Sequence, residues 1–353
     1  MGRVRIKDIA EIAHVSTGTV DRVIHNRGEV SSSTREKILD LIRDLDYKPD
    51  IAARSLALKR EIRLAVVMPR ILNDHSFWKL PQNGIQKALS ELSQYQIELE
   101  PFYFDQSDRH GFMECMRTFS FNYTEGILFA PVFLDESLDF LDRCELNHIP
   151  VVLFNSMLEA PSVKSFVGQD AFQSGVVAAR LIDYGLEPGS KLVIVNMSTR
   201  KDHYTHITER ERGFRSFFDK LPERLDHLVT LDLNGADDRK LEKKLDEIFG
   251  KYEFSGIFVT NSRVHKVARY LEFHNQDHLR LIGYDLLPEN IDYLELDRIN
   301  FLLSQKPGEQ AYLGLTSLFN LVVFNREPEK KQWLPIDIIT RDNLPYYQSK
   351  SFD

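Results

Sequence analysis

The sequence predicts two differently built regions. An N-terminal all-α helix-turn-helix domain occupies residues 1–48. After a linker at 49–61, an α/β region of two doubly wound parallel-sheet lobes with a ligand cleft between them fills 62–353. Three observations predict this. Residues 5–45 carry apolar side chains at helical spacing in three short runs. From residue 62 the chain alternates strand and helix segments, in two successive sets. Charge is also divided: residues 1–60 hold 12 Lys/Arg against 9 Asp/Glu, and the rest 33 against 44. A basic head on an acidic body fits a chain of which only one end meets phosphate.

The first helix rests on Ile6, Ile9, Ala10 and Ala13, one face at i, i+3, i+4 and i+7. Ser16 supplies a capping hydroxyl for the second, TGTVDRVIH, whose inner face is Val20, Val23 and Ile24. A third helix opens in SSSTRE, where Ser33 and Glu36 stand at capping-box spacing, and continues through Ile38, Leu41, Ile42 and Leu45. Two short helices joined by a tight turn can place the second in the major groove of DNA. There Ser16, Thr17, Gly18 and the outward Arg22 would face base edges, the Arg fork matching guanine. Thr19, Asn26 and Arg27 stand better for phosphates. Each is also readable as an ordinary surface residue of a small helical bundle.

The string KDIAEIAHVSTGTVDRVIHNRGEVSSSTREKI resembles the DNA reader of the lactose-repressor (LacI/GalR) family, and the match spans residues 5–48. His14, Asp21 and His25 depart from its usual Gly, Ser and Asn, and an acidic Asp21 near phosphate costs affinity unless it turns away. The resemblance implies that residues 51–58 form a hinge helix, too short to be stable alone, that orders on operator DNA. Two such helices would pair across a dimer axis, with Leu56 wedged into the minor groove and Ala53 allowing their close approach. Asp50 stands where relatives often have Asn. Without the resemblance, this stretch reads as an exposed linker.

In the larger region, RLAVVMP, QIELEPFYF, GILFAP and IPVVLFN read as buried strands of one set. KLVIVNM, HLVTLDL, SGIFVTN and RLIGYD read as those of a second. Repeated strand–helix units imply parallel sheets, and ligands of such sheets sit beyond the carboxyl ends of the strands. No Walker loop and no GxGxxG follows the first strand, so no nucleotide and no other cofactor is expected.

Along this region VGQDAFQSGVVAARL at 167–181, ERERGF at 209–214, VTN at 259–261, IGYD at 282–285 and SQKPG at 304–308 fall in order. Together they resemble the type 1 periplasmic-binding-protein fold, in its ribose-binding-like branch. The resemblance implies a polyhydroxyl ligand in the cleft. Arg210 and Asp285 would hold vicinal hydroxyls, Asn261 and Gln305 would each offer a donor and an acceptor, and Phe77 and Trp78 would lie against a sugar ring. Asp170 joins them at a helix start. Phe77 and Trp78 read equally as lobe core, Arg210 and Asp285 as a structural ion pair, and Asp170 as a helix cap alone. The family's acidic residue after the third strand falls near Phe133, with Asp135 two residues on, and position 262 is Ser262. The ligand is therefore open among a plain sugar, a phosphosugar, a sugar acid and an oligosaccharide fragment. Three crossings between lobes are expected near 156–163, 292–299 and 325–334. They divide an N-lobe of about 62–158 plus 297–327 from a C-lobe of about 160–294 plus 332–345. The tail after Ile339 has no leucine heptad, so a homodimer without a tetramerising coiled coil follows.

Several classes are disfavoured. The start MGRVRIK has no apolar run after it, and no stretch is long enough to span a membrane. Cys115 and Cys144 lack metal or disulfide spacing and read as structural thiols. Asp202, His203 and His206 lack a third convincing ligand, so no catalytic residue and no metal site is expected. The resemblance thus implies a cytoplasmic, non-enzymatic regulator of carbohydrate-utilisation genes, a repressor before an activator. Its partners would be operator DNA, a small-molecule effector and a second copy of itself, with no membrane. A solute-binding transport protein would share the body but not the reader.

Overall fold

The computed structural model describes residues 6–24, 30–45, 61–72, 76–198, 205–234, 238–276 and 278–348. The chain divides into two compact units, Met1–Arg60 and Glu61–Asp353.

The small unit holds helices α1 (Ile6–Ala13), α2 (Thr17–Ile24) and α3 (Ser32–Asp44). Ile9, Ala10, Ala13, Val20, Val23 and Ile38 form its core, flanked by Ile6, Ile24, Leu41, Ile42 and Leu45. These are the residues that helical spacing selects. His14 takes the left-handed conformation between α1 and α2, with φ 58°. A residue with a Cβ spends about 1–2 kcal/mol there, which is why the turn favours glycine. Lys37 Nζ donates to the Ala13 carbonyl at 3.1 Å, placing a cation at the C-terminal end of α1. The cap of α3 differs from expectation. Ser31, not Ser33, is the N-cap, its hydroxyl accepting from the Thr34 N–H at 3.4 Å. Three consecutive serines offer equivalent hydroxyls, and only the backbone of Ser31, extended at φ −56° and ψ 144°, selects among them.

The large unit contains two six-stranded sheets. The first is built from β1 (Ile62–Pro69), β2 (Ile97–Phe104), β3 (Gly126–Phe129), β4 (Val151–Phe154), β5 (Val163–Gly168) and β11 (Lys331–Trp333), in the order β11-β5-β4-β3-β1-β2, all parallel. The second is built from β6 (Ser190–Ser198), β7 (Leu225–Asn234), β8 (Gly256–Val259), β9 (Arg280–Tyr284), β10 (Phe301–Ser304) and β12 (Asp337–Ile339), in the order β12-β10-β9-β8-β6-β7. Among the described residues, β10 and β12 form the one antiparallel pair. The helices, numbered onward, are α4 (Lys79–Glu91), α5 (Arg109–Arg117), α6 (Leu134–Leu146), α7 (Ala171–Asp183), α8 (Thr205–Phe218), α9 (Asp238–Phe249), α10 (Val264–Phe273), α11 (Pro288–Glu295), α12 (Pro307–Phe324) and α13 (Pro345–Gln348).

Three sequence expectations are corrected here. QIELEPFYF is not a buried strand: β2 is an edge strand with Glu98 and Glu100 at least partly exposed, paired only with β1. The short strands β5, β10, β11 and β12 were not expected at all. Because β5 still belongs to the first sheet and β10 to the second, the lobe crossings shift. They lie at 168–171, 304–307 and 333–337 rather than near 156–163, 292–299 and 325–334. At these crossings one side chain ties all three together. Gln169 is buried, and its Nε2 donates to the Ser304 carbonyl at 3.0 Å and the Pro335 carbonyl at 3.1 Å.

Candidate functional site

Several of the candidate polar residues gather where the strands of the second sheet end. Asp285 follows β9 in the left-handed conformation, φ 68°, and is fully buried. Asn290 holds that turn: its Nδ2 donates to the carbonyls of Tyr284 and Asp285, each at 3.0 Å, and of Ser262 at 2.9 Å. Asp285 Oδ1 accepts from the Gln305 backbone N–H at 3.2 Å, and Oδ2 from Gln305 Nε2 at 2.6 Å. The other face of the same amide, Gln305 Oε1, accepts from Arg210 Nη2. Arg210 Nη1 donates to the Thr260 carbonyl at 2.7 Å, and the guanidinium lies 3.7 Å from the centre of the Tyr284 ring. Arg210 and Asp285 are therefore joined through Gln305 and not by a direct ion pair. Burial lowers the pKa of Arg210 and raises that of the Tyr284 phenol.

The remaining candidates are placed as follows. Asn261 is engaged at both ends, donating to the Met197 carbonyl at 2.6 Å and accepting from the Arg263 N–H at 3.1 Å. Asp170 is the N-cap of α7, accepting from the Gln173 N–H at 2.8 Å. Trp78 is buried edge-on against Phe154, with its indole N–H donating to Gln106 at 3.1 Å. Phe77 stands half-buried beside it, ring centroids 5.1 Å apart. Phe133 is buried among Phe104 and Phe112, while Asp135 is 82% exposed and 3.8 Å from Arg109. Cys144 is buried, its thiol pushed up to about 12, as a structural cysteine's would be.

Sequence reasoning missed several residues. Gln310 is buried and links Gln305 to the end of β4, its Nε2 donating to the Gln305 carbonyl and its Oε1 accepting from the Asn155 N–H, both at 2.8 Å. Ser156 Oγ and His206 Nδ1 meet at 3.0 Å, joining the end of β4 to the start of α8 across the lobes. The Gln310–Asn155 and Ser156–His206 contacts join residues 155 and 50 positions apart, so no local pattern could have announced them. Among the described residues no group of three His, Cys, Asp or Glu side chains could hold a metal.

Burial, then the Arg210 charge, hold His206 well below its ordinary value of 6.5. The neutral ring is thus favoured when the lobes meet, and protonation favours the opened or unfolded chain. This contribution is fully present above the unfolded value and is lost as pH falls below it. We expect the melting temperature of the full chain to fall between about pH 7.5 and pH 5.5, and His206→Gln to flatten part of that fall. Identical profiles for the two proteins would remove His206 from the account.

On the small unit, Ser16, Thr17, Gly18 and Arg22 are exposed and Thr19 is half-buried, opposite the buried Val20 and Val23. The Ser16 hydroxyl caps α2, accepting from the Thr19 N–H at 3.1 Å and meeting the Thr19 hydroxyl at 2.9 Å. Asn26, Arg27, Ala53 and Leu56 lie outside the described residues, as do His25, Asp50, Asp202 and His203.

Residues 5–50 match the model of bacterial regulatory proteins of the lacI family, and residues 64–326 that of the periplasmic binding protein domain. The chain is 23% identical over 354 residues to the ribose operon repressor of Lactococcus lactis subsp. lactis, covering 96% of this chain and 97% of that one. It is 25% identical over 290 residues to the sucrose operon repressor of Lactococcus lactis subsp. lactis, covering 80% and 83%. Among solved structures, a protein from Bacteroides fragilis described as a LacI transcriptional regulator superposes with a TM-score of 0.75 at 26% identity, over 82% of this chain and all of that one. A glucose-galactose binding protein from Geobacillus stearothermophilus shares the fold, with a TM-score of 0.69 at 20% identity, over 81% and 99%.

Proposed function

Because this chain belongs to the lacI family of bacterial regulatory proteins and carries a periplasmic-binding-protein domain as its larger unit, we propose that it is a sugar-responsive repressor of carbohydrate-utilisation genes. The family makes it a DNA-binding regulator and not an enzyme. The observation that carries the finer reading is the buried Arg210–Gln305–Asp285 chain, a polar set gathered at the carboxyl ends of strands of the second sheet. Such a set suits a ring bearing several hydroxyls.

In this reading the protein works in the cytoplasm as a homodimer on a pseudo-palindromic operator, each reader placing α2 in the major groove. Ser16, Thr17, Gly18 and Arg22 contact base edges; Thr19, Asn26 and Arg27 contact phosphates; Ala53 and Leu56 belong to the hinge helix. Phe77, Trp78, Asp170, Arg210, Asn261, Asp285 and Gln305 line or shape the cleft. A ligand that favours the closed lobes rotates one lobe on the other about the three crossings, and the spacing of the two readers follows. Gln169, bonded at all three crossings, makes them move as one hinge. A solute-binding protein would use the same cleft, but the helix-turn-helix unit has no role in transport.

The test is selection of bound fragments from random DNA by the full-length protein. We expect an inverted repeat whose half-sites lie about one helical turn apart or a multiple of it. Recovery of no motif at moderate salt would sink the proposal.

A further inference from the structure

Taking the cleft as the effector site proposed above, we infer that Gln310 is a positioning residue for it. Its amide closes a ring of hydrogen bonds that links the two lobes and holds Gln305 in place beside Asp285.

Gln310 stands out on its helix. The inner face of α12 is otherwise apolar or small, with Pro307, Gly308, Ala311, Gly314, Leu315 and Leu318 buried. A side-chain amide 1% exposed has lost its water and is tolerated when both of its ends are bonded. Gln310 is bonded in two directions. Its helix starts directly after the second crossing, and its backbone N–H donates to the Lys306 carbonyl at 3.0 Å. From that first turn Nε2 reaches back to the Gln305 carbonyl, and Oε1 reaches out to the Asn155 N–H, both at 2.8 Å.

From these two ends the bonds continue until they meet. Asn155 is left-handed, φ 67°, a conformation that asparagine tolerates better than most residues. The turn after it is tight, the Ser156 N–H donating to the Phe154 carbonyl at 2.8 Å. Ser156 Oγ then meets His206 Nδ1 of the opposite lobe at 3.0 Å. His206 lies one turn before Arg210 on α8, and Arg210 Nη2 donates to Gln305 Oε1. The path through Gln310, Asn155, Ser156, His206, Arg210 and Gln305 therefore returns to Gln310. Gln305 is where the ring meets the cleft chemistry, because its Nε2 also holds Asp285.

The Ser156–His206 bond spans the lobes away from the three crossings, so rotation about the crossings stretches it. The bonds of Gln310 lie close to the second crossing and persist. Closure thus completes the ring and opening breaks it at one point, and bonds arranged in such a circuit support one another. An apolar side chain at position 310 would fill the same space but leave the Asn155 N–H and the Gln305 carbonyl without their partner.

Hydrogen exchange of the full-length, ligand-free protein tests the ring, comparing wild type with Gln310→Met and Ser156→Ala. Methionine keeps the volume and makes neither bond; alanine removes only the hydroxyl that meets His206. Both variants are expected to speed exchange of the α8 amides at 209–213 on the order of tenfold, although Gln310 bonds to no residue of α8. Ser156→Ala is also expected to speed exchange at Gln305, on the far side of the ring. Changes confined to the neighbours of each substituted residue would overturn the ring, and Ser156→Ala decides this by itself where Gln310→Met does not fold. Operator affinity is then measured with and without D-ribose, D-glucose, D-galactose, D-galacturonate or glucose 6-phosphate. The shift that one of these produces in wild type is expected to shrink about tenfold in Gln310→Met. An equal shift in both proteins would overturn the role of Gln310 and leave the sugar-effector reading standing. No shift of wild type by any of them would overturn that reading, with the exchange data still deciding the ring.

Discussion

Arg22→Ala is expected to weaken operator binding about a hundredfold or more while leaving the melting temperature unchanged. Arg22 is exposed on α2 and engages no other described residue, so nothing in the fold depends on it. A guanidinium forked onto a guanine edge contributes about 1–3 kcal/mol, and a symmetric dimer loses it twice. The binding data also report what the side chain touches. If it reads a base, specificity relaxes at one position of each half-site and the salt dependence stays the same. If it meets phosphate, all sequences weaken together and the slope of affinity against salt becomes shallower. An unchanged operator affinity would take Arg22 out of the interface.

Gly175→Ala is expected to lower the melting temperature by several degrees and to abolish effector binding. Helix propensity alone argues the opposite, since alanine in a helix is worth about 1 kcal/mol over glycine. Contact geometry decides the sign. A Cβ on Gly175 would stand 2.0 Å from the Arg210 carbonyl oxygen, a distance no relaxed structure tolerates. The contact is reciprocal, because a Cβ on Gly213 would stand 1.9 Å from the Phe172 carbonyl oxygen. Helices α7 and α8 thus cross backbone to backbone, and alanine must push them apart. Overpacking of this kind costs about 1–3 kcal/mol, which outweighs the propensity gain and corresponds to several degrees in a domain this large. The displaced helix is the one that carries Arg210, so its bonds to Thr260 and Gln305 are lost with it. A melting temperature equal to or above that of the wild type would refute the packing argument.

Much of this was legible in the sequence because it is written in short-range spacing. Apolar side chains three and four positions apart specify which face of α1, α2 and α3 is buried, and they do so before any other element exists. The longer strands of both sheets announce themselves as apolar runs for the same reason, since solvent exclusion acts on each segment alone. The family resemblance then named Arg210, Asp285 and Gln305 together, and they do lie in one hydrogen-bonded chain. Where several local solutions are equivalent, the sequence is silent: Ser31, Ser32 and Ser33 all offer a cap, and the four-residue strand β10 has too little periodicity to declare itself.

The sequence by itself determined the division of this protein into a small helical reader and a larger body of alternating strands and helices, because both follow from the period at which apolar residues recur. Only the tertiary structure decided how the buried polar residues are wired. It interposed Gln305 between Arg210 and Asp285, tied three crossings to Gln169, set Ser156 against His206, and left the Arg210 Nε without a partner. The physical reason is range. A hydrogen bond or a charge is satisfied by whatever folding brings within about 3 Å, and between residues a hundred positions apart no local pattern carries that information.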